Sequence, residues 1–342
     1  MRAASSGRSI QHPEFRKVSN GSSYPQRPGG QMTAAVGTAL APSSPVKNSR
    51  SRRRGKAGWA AIALAPFVLF CLLIGAYPFA RVLQMALSEV AITGSGFHFT
   101  WTGLANLQTV LADAAAWQAL GNTLVFIIGS VAGSLIAGLA AALLVDRAVT
   151  LLPIARNVMI WPAVIAPVVV SLIWLLILSP TAGGWNKVLA TFGLPEQNWL
   201  DTGFGAMTSV IVVDIWHWSP VVFLFIYTAL KGIGEELLEA ARVDGASEGA
   251  ILRRIVLPLL LPAIGTVALV RVVMGVKVFD EMYLLTAGGP NGATTLVSQR
   301  IQLWFFHDLQ YGNAAAFSVV VIILTVALLL VAVLARRARR AA

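Results

Sequence analysis

"EAARVDGASEGAILRRIVLPLLLP" occupies Glu239–Pro262 and sets a problem. Six of its residues are charged (Glu239, Arg242, Asp244, Glu248, Arg253 and Arg254), in a chain that is 56% apolar and only 12% charged. Soluble domains carry about 25% charged residues. The 342-residue chain instead holds several apolar runs of membrane-crossing length, which makes it a polytopic membrane protein. A charged, glycine-punctuated segment in such a chain belongs in water, outside the hydrocarbon.

The net charge of +11 is concentrated at the ends. Residues 1–58 hold eleven Lys/Arg and one acid, Glu14, while Arg336, Arg337, Arg339 and Arg340 close the chain. A basic balance in a soluble protein points to nucleic acid. Here the basic residues flank apolar spans, so membrane topology accounts for them and no nucleic-acid partner is expected. The single cysteine, Cys71, lies in the first apolar run and excludes an intrachain disulfide or a cysteine metal site. His12, His98, His217 and His307 are scattered and show no metal-ligand spacing.

Residues 1–58 are rich in Ser, Pro, Gly, Arg and Gln and read as a disordered basic extension. Met32 offers a second start, and translation from either methionine is compatible with the sequence. Arg50–Lys56 precede an apolar run from Trp59 that exceeds the about 7–15 residues of a signal-peptide core. An uncleaved first span follows. Six spans are expected, at Trp59–Ala80, Leu120–Val145, Val158–Leu178, Ala206–Leu230, Pro262–Leu285 and Ala314–Leu334. Each matches a hydrocarbon core of roughly 30 Å. Lys/Arg bias sets the orientation. With the N-terminus inside, Arg147, Arg156, Lys231, Arg242, Arg253, Arg254 and the arginine tail are inside, against Arg81, Lys187 and Arg300 outside. Both termini, and the opening stretch, are then cytoplasmic. The expected organisation is an all-α, six-helix domain over 59–335 with a basic tail at 336–342. Two outer segments, His98–Leu111 and Thr181–Leu200, read as partly ordered, with Trp101, Trp185 and Trp199 at headgroup depth.

The opening stretch can now be read locally. Gly232 and Gly234 break the fourth span, and Glu235–Val243 forms a short helix with its acids at the N-terminal end, where the helix dipole favours them. Leu237, Leu238 and Ala241 share a face. Asp244-Gly245 stops that helix and turns the chain, and Ser247 caps a second helix. Pro258 and Pro262 then kink the chain back into the membrane. A helix–turn–helix hairpin results. It either rests on lipid headgroups or docks a soluble partner.

The stretch resembles the EAA loop of permease subunits of binding-protein-dependent ABC importers. Glu239-Ala240-Ala241, Asp244-Gly245-Ala246 and Ile255-Val256-Leu257-Pro258 match that pattern at its spacing, with Leu252 where many members carry an aromatic. Val278–Thr295, "VFDEMYLLTAGGPNGATT", resembles the signature of the first of two paired carbohydrate permeases. Trp216–Leu237 is similar to that subfamily's fourth span, with Gly234 where proline is usual. The resemblance covers about residues 59–335. It implies the type I importer permease fold and a sugar substrate, towards a neutral sugar by the "YLLT" variant. It also implies a second permease, two ATPase subunits and an extracytoplasmic binding protein as partners. The coupling loop, 235–258, would carry the ATPase contact through Glu239, Ala240, Ala241, Asp244, Gly245, Ala246, Leu257 and Pro258. Glu239 would pair with a basic ATPase group, and Gly245 would let the corner enter a cleft. No cofactor would be bound by this chain; ATP and Mg²⁺ would be used by the ATPases.

The fifth span carries Arg271, Lys277, Asp280 and Glu281 within or beside the hydrocarbon. Each isolated charge there costs at least about 2.5 kcal/mol. Lys277 is placed to pair with Asp280 or Glu281, and Asp214 is the candidate partner of Arg271. Trp216, Trp218, Asp280, Tyr283 and Lys277 supply the carboxylate, cation and aromatic faces that sugars need. They either line a pathway or form an outer-surface charge and aromatic belt. No phosphate loop occurs at Thr286–Gly292 and no enzyme constellation is present, so the chain reads as a transport subunit rather than an enzyme. An ion-coupled secondary transporter and a docking scaffold are the rival readings. The spaced loop motif favours neither.

Overall fold

Lipid offers no hydrogen-bond partner to a peptide group, so apolar runs in a membrane must close their own ladders as helices. The computed structural model describes residues 62–94, 96–147, 159–181 and 183–341, and the extension expected over 1–58 lies outside them. In chain order the elements are α1 (Ile62–Ala86), β1 (Ser88–Thr93), β2 (Gly96–Trp101), α2 (Ala105–Ala112) and α3 (Ala114–Arg147). There follow α4 (Pro167–Ile177), α5 (Gly184–Thr191), α6 (Gly203–Lys231), α7 (Glu235–Val243) and α8 (Glu248–Val276). The last are α9 (Asp280–Thr286), α10 (Val297–Gln302) with a wide turn over Leu303–His307, and α11 (Tyr311–Ala341).

Five described helices are long and apolar enough to cross a membrane: α1, α3, α6, α8 and α11, the last through Leu334. The expected third span, Val158–Leu178, is not one continuous helix. A helical turn over 159–164 breaks at Ile165–Ala166 before α4 begins. Pro167 is the cause. Its ring disfavours helical geometry at the preceding residue, and Ala166 is extended at ψ 139°.

The expected fifth span, Pro262–Leu285, also differs. Helix α8 starts at Glu248, passes both prolines without ending, and stops at Val276. A wide turn over Leu252–Val256 directly precedes Pro258 and accommodates its missing N–H, so the second arm of the hairpin and the span are one helix. The all-α expectation is corrected too. β1 and β2 pair antiparallel, with Val90 opposite Phe99 and Ile92 opposite Phe97. Alternating β-branched and aromatic residues suit a pleated ribbon better than a helix.

The centre of the fold is the α3–α6 pair. A Cβ on Gly133 would meet Ile215 Cδ1 at 2.1 Å, and one on Gly138 would meet Val222 Cγ1 at 2.6 Å. Glycine is required there for the helices to approach. Apolar clusters mark the two ends of this bundle. Val110, Ala116, Trp304 and Phe317 pack where α1 ends and α11 begins. Val145, Ile226, Leu230 and Ile251 pack where α3 and α6 end and α8 begins. At the first end Arg300 Nη2 donates to Asp113 Oδ2 at 2.6 Å. At the other, Lys231 Nζ lies 2.6 Å from Asp146 Oδ1.

Candidate functional site

The hairpin predicted from the opening stretch forms as α7, a tight corner and the start of α8. Its corner is a Schellman turn. Gly245 N–H donates to Arg242 O at 3.0 Å and Ala246 N–H to Ala241 O at 3.0 Å. Gly245 sits at φ +81°, with open space around its Cβ position. A larger residue there is therefore opposed by backbone conformation and not by crowding within the chain. Ser247 Oγ accepts from Ala250 N–H at 3.4 Å and starts α8, while Arg242 Nε donates to Glu248 Oε1 at 2.8 Å across the corner.

The two faces of the hairpin differ in role. Leu238, Ala241, Ala246 and Leu252 pack against the C-terminal ends of α3 and α6 and the start of α8. Leu252, standing where an aromatic is common, thus serves the anchored face. Glu239, Ala240, Asp244, Gly245 and Pro258 are exposed, Leu257 is half-buried, and Val243 is 87% exposed. Leu237, expected on the apolar face, is also exposed. An apolar residue displayed at a charged corner gains nothing from its own chain.

The second constellation is a polar layer inside the bundle. Arg271 on α8 pairs with Asp214 on α6, each side chain 1% exposed. Arg271 Nε also donates to Ser134 Oγ on α3 at 3.3 Å, and its guanidinium lies 5.3 Å from the Trp218 ring centre. Asp214 is thus the partner of Arg271, as the sequence suggested. One turn along α6, His217 Nδ1 meets Glu281 Oε1, both buried. Its Nε2 donates to Ile165 O at 3.2 Å, the carbonyl freed by the break before α4. The other carboxyl oxygen, Glu281 Oε2, is buried without a hydrogen-bond partner.

The expected pairing of Lys277 with Asp280 or Glu281 does not form. Helix α8 ends at Val276, so the one-turn spacing that would join them is lost, and Glu281 turns to His217 instead. A cavity of about 130 Å³ lies here, lined by Trp218, Arg271, Lys277, Asp280 and Glu281. It gathers three of the five expected pathway residues: Trp218, Lys277 and Asp280. Trp216 packs edge-to-face on Trp174 at 5.7 Å, outside that lining, and Tyr283 stands directly behind it, stacked at 5.2 Å on the lining residue Phe279. Sequence reading missed His217, Glu281 and Ile165 as one tie. The available signal was Asp214 and His217 one turn apart on an apolar helix, each needing a partner.

Residues 133–340 match the family described as "Binding-protein-dependent transport system inner membrane component". The chain belongs to this family. Relatives of the permease include the trehalose/maltose transport system permease MalF of Thermococcus litoralis, 30% identical over 70% of this chain and 81% of that one. The sn-glycerol-3-phosphate transport system permease UgpA of Agrobacterium fabrum is 30% identical over 78% and 90%. The multiple sugar-binding transport system permease MsmF of Streptococcus mutans is 29% identical over 68% and 80%. In fold, the permease is similar to a chain of a bacterial ABC transporter that imports alginate, with TM-score 0.71, 23% identity, and coverage of 85% and 99%.

Proposed function

We propose that this permease forms part of the translocation pathway of an ATP-driven carbohydrate importer. The observation that carries the reading is the hairpin: anchored by one face, it exposes Glu239, Val243, Asp244 and a left-handed Gly245 at a rigid corner. The Lys/Arg bias puts this corner and both termini in the cytoplasm. Two ATPase subunits would use ATP and Mg²⁺; the chain itself binds neither. One ATPase would grip the corner, with Glu239 against a basic group and Gly245 seated in the cleft. Because the wide-turned start of α8 continues into the membrane, movement of the corner reaches the polar layer without an intervening loop. A second permease completes the pathway and an extracytoplasmic binding protein supplies the substrate.

The relatives named above support a carbohydrate or a phosphorylated polyol as substrate. The cavity beside Trp218, Lys277 and Asp280 offers an aromatic face with hydrogen-bonding groups of both signs, which suits a hydroxyl-rich ligand. Trp216 and Tyr283 would meet substrate only along the wider pathway. An ion-coupled transporter would use acids in the membrane as ion sites, whereas two of the three here, Asp214 and Glu281, are each tied to a neighbour.

Gly245→Trp is the test. Labelled-sugar uptake should be abolished while the chain stays in the membrane at its normal level. Normal uptake with a tryptophan at the corner would overturn the docking role.

A further inference from the structure

The end of the bundle away from the hairpin carries a cleft of about 530 Å³ between α4, α5 and the first turns of α6. Its wall is held by Asn186, which is buried. Asn186 Nδ2 donates to Pro180 O and to Gln197 O, each at 3.0 Å. Its Oδ1 accepts from Gln197 N–H at 3.2 Å and from Trp199 Nε1 at 3.1 Å. Thr202 then caps α6, its Oγ1 accepting from Gly205 N–H at 3.1 Å. The segment before α6 and helix α5 are thereby fixed to the end of α4, and the cleft is built into the fold. It lies apart from the polar layer. Gly205, Thr208, Ser209 and Val212 line it at the i, i+3, i+4, i+7 spacing of one helix face. Asp214 and Trp218, which line the cavity beside Arg271, stand on the opposite face, because two residues turn a helix by about 200°.

The lining chemistry narrows the occupant. No Asp, Glu, Lys, Arg or His contributes to it. Three of its apolar residues are themselves exposed, Phe204 by 85% and Trp185 and Val212 by 46% each, so the cleft opens sideways onto an apolar surface. Its polar groups are few and uncharged. Gln197 Nε2 donates to Pro195 O at 3.3 Å and Thr202 is spent on the cap, while Asn198, Thr208 and Ser209 make no described side-chain hydrogen bond. Trp174, also in the wall, is buried with no partner for its Nε1–H. A sugar carries a hydroxyl on nearly every carbon and would set most of them against apolar walls without a partner. Water would be short of partners in the same way. A neighbouring helix, about 10 Å across, would cover the mouth and leave the space beneath it empty. An acyl chain is thin, flexible and apolar. Its ester oxygens accept without donating, which suits the free Asn198 amide and the Thr208 and Ser209 hydroxyls. Tryptophans such as Trp185 and Trp199 belong at the depth of those esters.

We propose that this cleft is a lipid site, holding one acyl chain of a phospholipid from the leaflet at this end of the bundle. The chain fills the space between α4, α5 and α6, with its ester end towards Asn198 and Trp199. The inference rests on the membrane-spanning fold and not on the importer reading.

The test uses the full transporter in phosphatidylcholine liposomes doped with a phosphatidylcholine that carries a photoactivatable diazirine midway along one acyl chain. After illumination, labelled residues are mapped by peptide mass spectrometry. Ile323 and Leu330 on α11, both exposed, serve as the reference for ordinary lipid contact. In wild type, Trp174 and Leu178 should be labelled several-fold above that reference. Thr208→Trp, at an exposed position of the lining, puts an indole into the space, and Val212→Trp does so from the mouth. Each should cut labelling of Trp174 and Leu178 several-fold and leave labelling of α11 unchanged. Wild type labelled on α11 but not at Trp174 or Leu178 would overturn the proposal, because another chain then covers the cleft. Labelling that both variants leave intact would overturn it too. So would labelling that excess unlabelled maltose or trehalose abolishes, which would make the cleft a sugar site.

Discussion

The hairpin between α6 and α8 and the polar layer inside the bundle treat charge in opposite ways. At the hairpin, Glu239 and Asp244 face outwards with no ion pair, and the anchored face is apolar. In the layer, Arg271, Asp214, His217 and Glu281 are all buried, and every one is paired. Water solvates the first set at little cost, so those charges remain available to another chain. Hydrocarbon solvates nothing, so the second set must be completed internally. The contrast separates charges that answer one another inside the bundle from charges left to solvent.

Arg271→Met is expected to have the largest effect on stability. It strands a buried carboxylate, and losing one partner of such a pair costs about 3–5 kcal/mol. Thermal unfolding in mild detergent should show the loss. The double variant Arg271→Met with Asp214→Leu should recover much of it. A single variant as stable as wild type would mean that water reaches the layer.

A smaller effect belongs to the Arg300–Asp113 pair at the end of the bundle away from the hairpin, whose side chains are 20% and 25% exposed. Partial burial pushes the Asp113 carboxyl up, but hydrogen bonds from Arg300 and from the Ala115 and Ala116 amides outweigh it, and its pKa is lowered from 3.8. Because the folded value is depressed, its stabilisation is present above pH 3.8 and is lost as pH falls through the lower folded value. Pairs this open contribute up to about 1 kcal/mol. Asp113→Asn should flatten that part of the acid unfolding curve; an identical curve would remove the pair from the account.

Glu239→Ala is expected to move stability least, within about 0.5 kcal/mol, because the residue touches nothing buried. Transport should nevertheless fall severalfold in an uptake assay. Full transport would place the partner contact elsewhere on the hairpin, and a large stability loss would erase the distinction between the two regions.

The hairpin was legible in detail because it is local. Glu235–Val243, the Asp244-Gly245 stop and the Ser247 cap act over one or two turns, and each motif has a single backbone solution. The third and fifth spans were less legible. Apolar length located them, but Pro167 broke one and the end of α8 at Val276 cut the other short. The proline at 258, read as a kink, was absorbed by a wide turn whose neighbours could not be known from spacing. Ribbon β1–β2 was missed because its pattern is short and lies between stronger helical signals.

Sequence alone determined that the chain spans a membrane, which family pattern its charged loop carries, and which charges are too costly to leave bare. Only the tertiary structure decided how those charges are answered. Arg271 found Asp214 as the sequence suggested, yet Glu281 chose His217, 64 residues away, over Lys277 beside it. Local motifs are set by nearest-neighbour sterics and hydrogen bonding. Partner choice is set by which groups the packed helices bring within reach.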